Sequence, residues 1–415
     1  MRLMRWASVV VLVLVASALL GMLYASARLT ALSSERFTRA QLASLAEGLE
    51  ERADGMQRLF PEGRVFTLAL YGAAWVNIGR HPRDPAEQTR ARAECNHALK
   101  LLEAPASLRA FGPAGGLPHG MFYEAWTNRV RAGCLLLDPT PLASRALPEL
   151  AESCDRLSAA LAEQGPFVDS YPGRAWPADS VVGVSSLPLC AKWLGPRYQS
   201  AASDWLTAVQ SRLDPETGLL PHTADSSAAR GSSSALMIAF LPDVDAAFAR
   251  RQYLAFRQHY SSRLLGLLPS FDEYPDDRLG PGDIDSGPLV FGVSAPATVV
   301  GIAAARSNHD LDYALALRSA AEAIGLGIER EGQRSYGFGV LPVGEAFLAW
   351  ASGAEPWTTA PGTAAASDNA DNWRLRWRLF CSTGALLCAL SALLLLRARA
   401  AARTRREPPR HDQHA

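Results

Sequence analysis

The chain has 415 residues, with Lys plus Arg equal to Asp plus Glu at 41 each, and 48% of it is hydrophobic. Zero net charge gives no reason to expect nucleic acid as a partner. The middle of the chain is long enough for one large domain or two ordinary ones.

In chain order, the uncharged stretch Trp6–Ala27 comes first, behind Arg2 and Arg5. Its length suffices to cross a bilayer. Ala25-Ser26-Ala27 also has the small-residue pattern of a signal-peptidase site. Residues 6–27 are therefore expected to be a transmembrane anchor or a cleaved signal.

Residues 28–60 read as a polar amphipathic helix ending near Phe60-Pro61-Glu62-Gly63, and Arg64–Gly79 as an apolar helix rich in small residues. Pro85 then opens a charged amphipathic helix. A loop with three prolines and three glycines, residues 104–118, leads to a second apolar helix from His119. The pattern repeats, with apolar helices over 178–194, 232–241, 286–305 and 343–352, each behind an amphipathic helix and a loop. A Gly-Leu-Pro-like turn recurs at Gly116-Leu117-Pro118, Gly218-Leu219-Leu220-Pro221, Gly266-Leu267-Leu268-Pro269 and Gly339-Val340-Leu341-Pro342. No run of period-2 alternation argues for strands. Six such pairs predict an all-α (α/α)6 toroid over residues 35–352, with apolar helices inside and amphipathic helices outside. Ser286–Ala305 carries no charge. It predicts a helix buried on all sides, with Asp283 and Asp285 at its N-terminal mouth, where the helix dipole suits negative charge.

Cys95 and Cys134 lie on the two helices of the second pair, at similar distances from its loop, and Cys154 and Cys190 do the same in the third. Antiparallel helices bring each pair level. This predicts disulfides Cys95–Cys134 and Cys154–Cys190, the alternative being four buried free thiols. With no CxxC and no paired His, zinc is not expected.

Residues 353–377 read as a linker rich in Ala, Gly, Thr and Asp. A second uncharged segment, 379–396, lies between Arg378 and Arg397. The tail 397–415 holds six arginines against three at Arg374, Arg376 and Arg378. It reads as cytoplasmic under the positive-inside rule, which puts the main domain outside the cytoplasmic membrane, periplasmic or at the cell surface.

In a toroid the loops ahead of the inner helices share one rim, and their polar residues are the candidates. His119 begins an inner helix with Tyr123 and Glu124 one turn on, and the i, i+4 spacing puts His119 and Tyr123 on one face. A histidine there exchanges a proton near neutral pH, unless it only caps or packs. Asp179 follows Trp176-Pro177-Ala178. It either caps the helix or, partly buried against Trp176, has a raised pKa and acts as general acid. His222 and Arg230 flank the fourth loop. Arg230 suits a carboxylate, phosphate or hydroxyl-rich ligand, or a salt bridge to a loop acid.

The fifth loop carries Asp272, Glu273, Tyr274, Asp276, Asp277, Asp283 and Asp285. Asp283 and Asp285 are the better placed to complete a facing carboxylate pair for acid/base work on a C–O bond. The alternatives are a divalent cation held by the cluster's oxygens, although it does not match the calcium-binding helix-loop-helix pattern, and a solvated acidic loop with Asp285 as helix cap; no metal or cofactor is expected. Tyr336 and Glu345 come from the sixth pair, and a carboxylate inside an apolar helix needs a partner or the pocket. Tyr123, Trp126 and Trp176 offer ring faces for a sugar. There is no GxSxG, phosphate loop, HExxH or dinucleotide fingerprint, which removes serine-nucleophile and nucleotide enzymes.

With Gly120-Met121-Phe122-Tyr123-Glu124-Ala125-Trp126, Trp176-Pro177-Ala178-Asp179, Arg230-Gly231-Ser232-Ser233 and Asp283-Ile284-Asp285-Ser286-Gly287-Pro288, residues 35–352 resemble the six-hairpin toroid superfamily. That superfamily includes glycoside hydrolases, polysaccharide lyases, sugar epimerases and the linalool dehydratase/isomerase family. The linalool-type enzymes depend on active-site cysteines, whereas Ala178 precedes Asp179 here. The resemblance implies a small-molecule or glycan substrate. The expected activity is cleavage or elimination at a C–O bond by Asp179, Asp283, Asp285 and His119. The alternatives are dehydration or isomerisation of a hydroxylated isoprenoid, and a non-catalytic envelope binding or scaffold role.

Overall fold

The computed structural model describes residues 2–28, 31–360 and 373–404. Helix takes up 67% of the chain. The chain enters through α1 (Arg2–Arg28). The first pair is α2 (Ala31–Ala46) with α3 (Leu49–Gln57), then α4 (Gly63–Arg80). The second is α5 (Pro85–Leu102) and the short α6 (Pro105–Leu108), then α7 (Gly120–Leu136). The third runs α8 (Ala146–Gln164), β1 (Asp169–Tyr171), β2 (Arg174–Ala175) and α9 (Pro177–Leu194). The fourth is α10 (Arg197–Val209) and α11 (Gly231–Phe240). The fifth runs α12 (Ala246–Tyr260), β3 (Ser261–Leu264), β4 (Leu268–Phe271) and α13 (Ala295–Ser307). The sixth runs α14 (Leu311–Ile324), β5 (Ile328–Arg330), β6 (Gln333–Ser335) and α15 (Pro342–Gly353). The last helix is α16 (Trp373–Thr404).

Local chemistry sets these boundaries. Asp84 caps α5 by accepting the Glu87 N–H at 2.8 Å, and Asp245 caps α12 through Phe248 at 2.6 Å. Pro85, Pro177 and Pro342 stand at first helical positions, where a missing N–H does no harm. α4, α7, α9 and α11 are buried along nearly their whole length, as sequences rich in small and apolar residues with no continuous polar face require. The contacts of the apolar helices run α4 to α7, α7 to α9, α9 to α11, α11 to α13, α13 to α15, and α15 back to α4. α5, α8, α10, α12 and α14 each pack against the apolar helix that precedes them, α4, α7, α9, α11 and α13 in turn, and α2 and α3 pack against α4. Disulfides Cys95–Cys134 and Cys154–Cys190 join α5 to α7 and α8 to α9, the pairing expected from the sequence.

Three expectations change. The uncharged stretch from Ser286 is not one helix. Its first part is a loop in which Gly287, Phe291 and Gly292 take positive φ, and α13 begins only at Ala295. Ser294, not Asp285, caps α13, its Oγ accepting the Ala297 N–H at 3.1 Å. The first amphipathic helix is broken at Gly48, whose φ of 70° a helix does not tolerate. Short antiparallel hairpins occupy the loops of the third, fifth and sixth pairs. Their strands of two to four residues are too short to leave an alternating pattern.

The far ends of the apolar helices are covered by the start of the expected linker. Trp357 is 2% exposed, and its indole N–H donates to Asn77 Oδ1 at 2.8 Å. Residues 361–372 of that linker and 405–415 of the basic tail lie outside the described residues. Within α1 and α16, Trp6–Ala25 and Trp373–Ala398 are long and apolar enough to cross a membrane. Only 6% and 17% of their most apolar windows are buried, which separates them from the core helices. The two pack along each other, the span in α16 reaching further on both sides than residues 379–396.

Candidate functional site at the helix N-termini

The loops that enter the six apolar helices meet at one end of the domain. The Tyr171 hydroxyl, from the β1–β2 hairpin ahead of α9, donates to Glu62, the residue just ahead of α4. The Gly120 Cα at the start of α7 approaches the Ser170 carbonyl so closely that a Cβ would sit 2.1 Å from its oxygen. Gly231, first in α11, donates its N–H to the Glu273 carbonyl at 2.9 Å, and Ser294 ahead of α13 donates to that of Phe271 at 3.0 Å. These contacts gather Glu62, Asp179, Arg230, Glu273, Asp283 and Asp285 into a single mouth.

Asp179 and Glu273 are the buried acids of this group, and Asp179 is the one without a basic partner. It lies in the first turn of α9, 7% exposed, and does not cap that helix. Its carboxylate instead accepts the Ser170 hydroxyl at 2.5 Å. Burial raises its pKa to about 7, against the opposing Ser170 hydrogen bond and with help from the negative charges of Asp285 and Glu62. Asp285 stays open to solvent but is hemmed in by protein. That desolvation, followed by Asp283 and Glu62, raises its pKa to about 6.

The second acid of the expected pair, Asp283, is engaged otherwise. Its Oδ1 accepts the N–H groups of Asp285 and Ser286 at 3.0 Å each, and its other oxygen meets Arg230. Burial pushes its pKa up, but the Ser286 amide and Arg230 outweigh that and leave it lowered. Arg230 also pairs with Glu273 at 3.0 Å. Glu273 is fully buried and accepts from Ser232 N–H at 3.1 Å and from its hydroxyl at 2.9 Å. Arg230 therefore clasps the fifth loop to the start of α11, the loop-acid salt bridge. Tyr274 assists with its hydroxyl on the Pro281 carbonyl at 2.8 Å. His222 hydrogen-bonds Ser233 Oγ at 3.1 Å. Burial, then Arg230, lowers its pKa to about 4, so it is neutral at pH 7.

The floor below these acids is aromatic. Phe66 and Phe347, both part-exposed, lie 5.4 Å apart, and Phe66 is edge-on to Phe122 at 4.9 Å and to Trp126 at 5.3 Å. Trp126, 1% exposed, is part of this column rather than an open ring face. Trp176 and Tyr171 are part-exposed rings as well, 5.9 Å apart and edge-to-face.

The His119 face is elsewhere. His119, Tyr123 and Glu124 do share one side of α7, but that side lines a separate cavity of about 250 Å³ with Leu108, Arg131 and Arg156. Phe111 stands between the two places, 5.7 Å from the Tyr123 ring and 6.0 Å from the Tyr171 ring. The Tyr123 hydroxyl donates to the Leu102 carbonyl at 3.0 Å, and burial raises its pKa to about 12. Glu124 pairs with Arg156 at 3.4 Å. In the sixth pair the Tyr336 hydroxyl is held among Arg318, Arg334 and Glu322, the first at 2.6 Å. Glu345 accepts the Tyr336 N–H at 3.0 Å, and burial raises its pKa. It braces the sixth loop. Among the described residues no group of three metal-ligating side chains forms a metal site.

Glu62, Ser170 and Tyr171 were not among the expected site residues. Glu62 had a signal: it sits directly ahead of an apolar helix, as His119 and Arg230 do. The chain matches no family model and no curated protein.

Proposed function

We propose that the chain is a membrane-tethered, extracytoplasmic (α/α)6 toroid whose mouth carries acid/base chemistry at a C–O bond of a hydroxylated substrate. The unbroken cycle of contacts from α4 round to α15 and back supports the toroid. The disulfides support an oxidising compartment. The observation that carries the chemistry is the pairing of unlike carboxyls from two loops. Asp179 is enclosed, holds its proton near neutral pH and has no cation beside it. Asp285 is accessible and titrates lower.

In this reading Asp179 gives its proton to the leaving oxygen as the C–O bond breaks. Asp285 takes a proton, either from a water that attacks the carbon or from the carbon next to it. The first gives hydrolysis and the second elimination. Asp283 and Arg230 hold Asp285 in place, and Trp176 and Tyr171 border the bound substrate.

The leading substrate is a glycan. The aromatic floor of Phe66, Phe122 and Phe347 favours the second reading, elimination or isomerisation on a hydroxylated isoprenoid, because a sugar has no long apolar part to cover it. Incubating the purified chain with a panel of glycosides and isoprenoid alcohols, with products identified by mass, separates them. Turnover abolished by Asp179→Asn supports acid catalysis. Turnover unchanged by both Asp179→Asn and Asp285→Asn rules it out. A chain inert to the whole panel fits the scaffold role instead.

A further inference from the structure

We infer that the mouth of the domain is seated on the bilayer from which α1 and α16 come, and that its substrate is a membrane-resident amphiphile. This rests on the reading that these two helices cross a membrane and that the mouth is the site.

The first support is where the apolar helices meet the domain. Leu19, Met22 and Leu23 of α1 and Trp377 and Cys381 of α16 pack in one cluster with Ala320 and Ala323, in the last turns of α14. The tip residues of the β3–β4 hairpin, Leu264 and Leu267, belong to the same cluster. The end of α14 leads directly through β5 and β6 to the start of α15, so it lies at the mouth end. Arg374 is tied to Ser319 Oγ at 3.0 Å, and the turns that follow it reach Ala320, Ala323 and the hairpin. α1 packs on α14, and α16, which packs along α1 and touches β4, continues beyond this cluster with Leu386, Leu387, Leu390 and Leu394 exposed.

The second support is independent of those helices. Among the residues from 34 to 360, whose side chains are described, every exposed large hydrophobic side chain except Leu142 and Leu254 stands at the mouth end. Four of them are 49–77% exposed at turn tips: Leu265, Phe291, Leu326 and Phe338. All four have φ between 50° and 62°, a conformation that glycine or asparagine takes more easily. Each is followed by glycine: Gly266, Gly292, Gly327 and Gly339. A soluble surface gives no reason to put a bulky apolar residue at such a tip four times over. A layer of lipid does. Among the charged neighbours at this end, His259 pairs with Asp276 at 3.0 Å and Arg278 with Glu216 at 2.8 Å.

A mouth in this position receives its ligand from the membrane. The matching chemistry is an amphiphile whose hydroxylated or ether-linked head reaches Asp179 and Asp285 while its apolar part lies over Phe66 and Phe347.

The test places the photo-crosslinking residue p-benzoylphenylalanine at Phe338, Phe291 or Leu265, with Leu142 as control, in the full chain in phosphatidylcholine nanodiscs. All four positions are exposed, so folding is preserved. Phospholipid adducts at the three mouth positions and none at Leu142 are expected. Retention of the chain in membranes after alkaline carbonate, with adducts absent or equal at all four, overturns the seat alone. Release by carbonate overturns the membrane tether and the seat together.

For the substrate, the wild-type chain and Asp179→Asn are each incubated in nanodiscs made with a total lipid extract of the expression host. A hydroxylated amphiphile consumed at least tenfold faster by the wild type is expected. No change in any lipid, with turnover of a water-soluble glycoside or alcohol, overturns the substrate class and leaves the acid/base reading standing. No turnover of either kind overturns both.

Discussion

The two ends of the central helices use the same residue types in opposite ways. At the far end the buried charges around Trp357 each have a hydrogen-bonding or ionic partner. Arg129 pairs with Asp243, lies 4.0 Å over the Trp357 ring and donates to the Ser185 carbonyl at 2.9 Å. Arg80 meets Glu355 at 2.6 Å, Lys192 donates to the Trp357 carbonyl at 3.1 Å, and Thr358 N–H reaches Asp243 at 2.8 Å. At the mouth Glu62, Asp179 and Asp285 stand together with no cation paired to any of them, and Arg230 is taken by Glu273 and Asp283. Compensated charge closes one end, and uncompensated charge is retained at the other. Burying like charges costs free energy, so the mouth is where function is expected to outweigh stability.

The substitutions that probe this contrast begin at the closed end. Asp243→Ala leaves Arg129 buried without its counter-ion and is expected to destabilise the chain by about 3–5 kcal/mol, measured by denaturation in detergent. Cys95→Ser, which opens the α5–α7 cross-link, is expected to cost about 2–4 kcal/mol by the same measurement.

At the mouth the sign reverses. Asp179 has a folded pKa of about 7 and an unfolded one of about 3.9. The folded state therefore binds the extra proton between these values, and wild-type stability falls as pH rises from about 4 to about 7. Asp179→Asn removes that loss. The variant is expected to be more stable than wild type by about 1–3 kcal/mol above pH 7, with the gain vanishing below about pH 4. A thermal-denaturation series against pH checks it, and a variant less stable at every pH contradicts it. Tyr171→Phe is expected to have the smallest effect, about 1 kcal/mol or less, because Glu62 remains part-exposed and water replaces the lost donor.

Much of this was legible before any coordinates. Alternation of charged amphipathic helices with apolar, small-residue helices points to six helix pairs, since a helix without a polar face is buried. Level cysteines on antiparallel helices give the disulfides. Other features were hidden for physical reasons. Composition could not distinguish an apolar loop from a buried helix over Ser286–Ser294, because Phe291 is exposed where a loop residue is normally polar. Helical spacing placed His119 and Tyr123 on one face of α7, but when both sides of a helix are buried, periodicity does not say which faces the mouth. The Gly- and Thr-rich stretch after Gly353 looked like a free linker, and Trp357 alone marked it as packed. The pairing of Arg230 with Asp283 joins residues 53 apart in sequence and leaves no local pattern.

The central claim is that Asp179 keeps its proton near neutral pH inside the mouth. The direct measurement is a carbon-13 NMR titration of carboxyl-labelled aspartate in the full chain, with the Asp179 signal assigned by its loss in Asp179→Asn. A midpoint near pH 7, moving down when Asp285→Asn removes the neighbouring charge, is the predicted result. A midpoint near pH 4 that ignores Asp285 would mean an ordinary ionised carboxylate, and the acid/base account would fail.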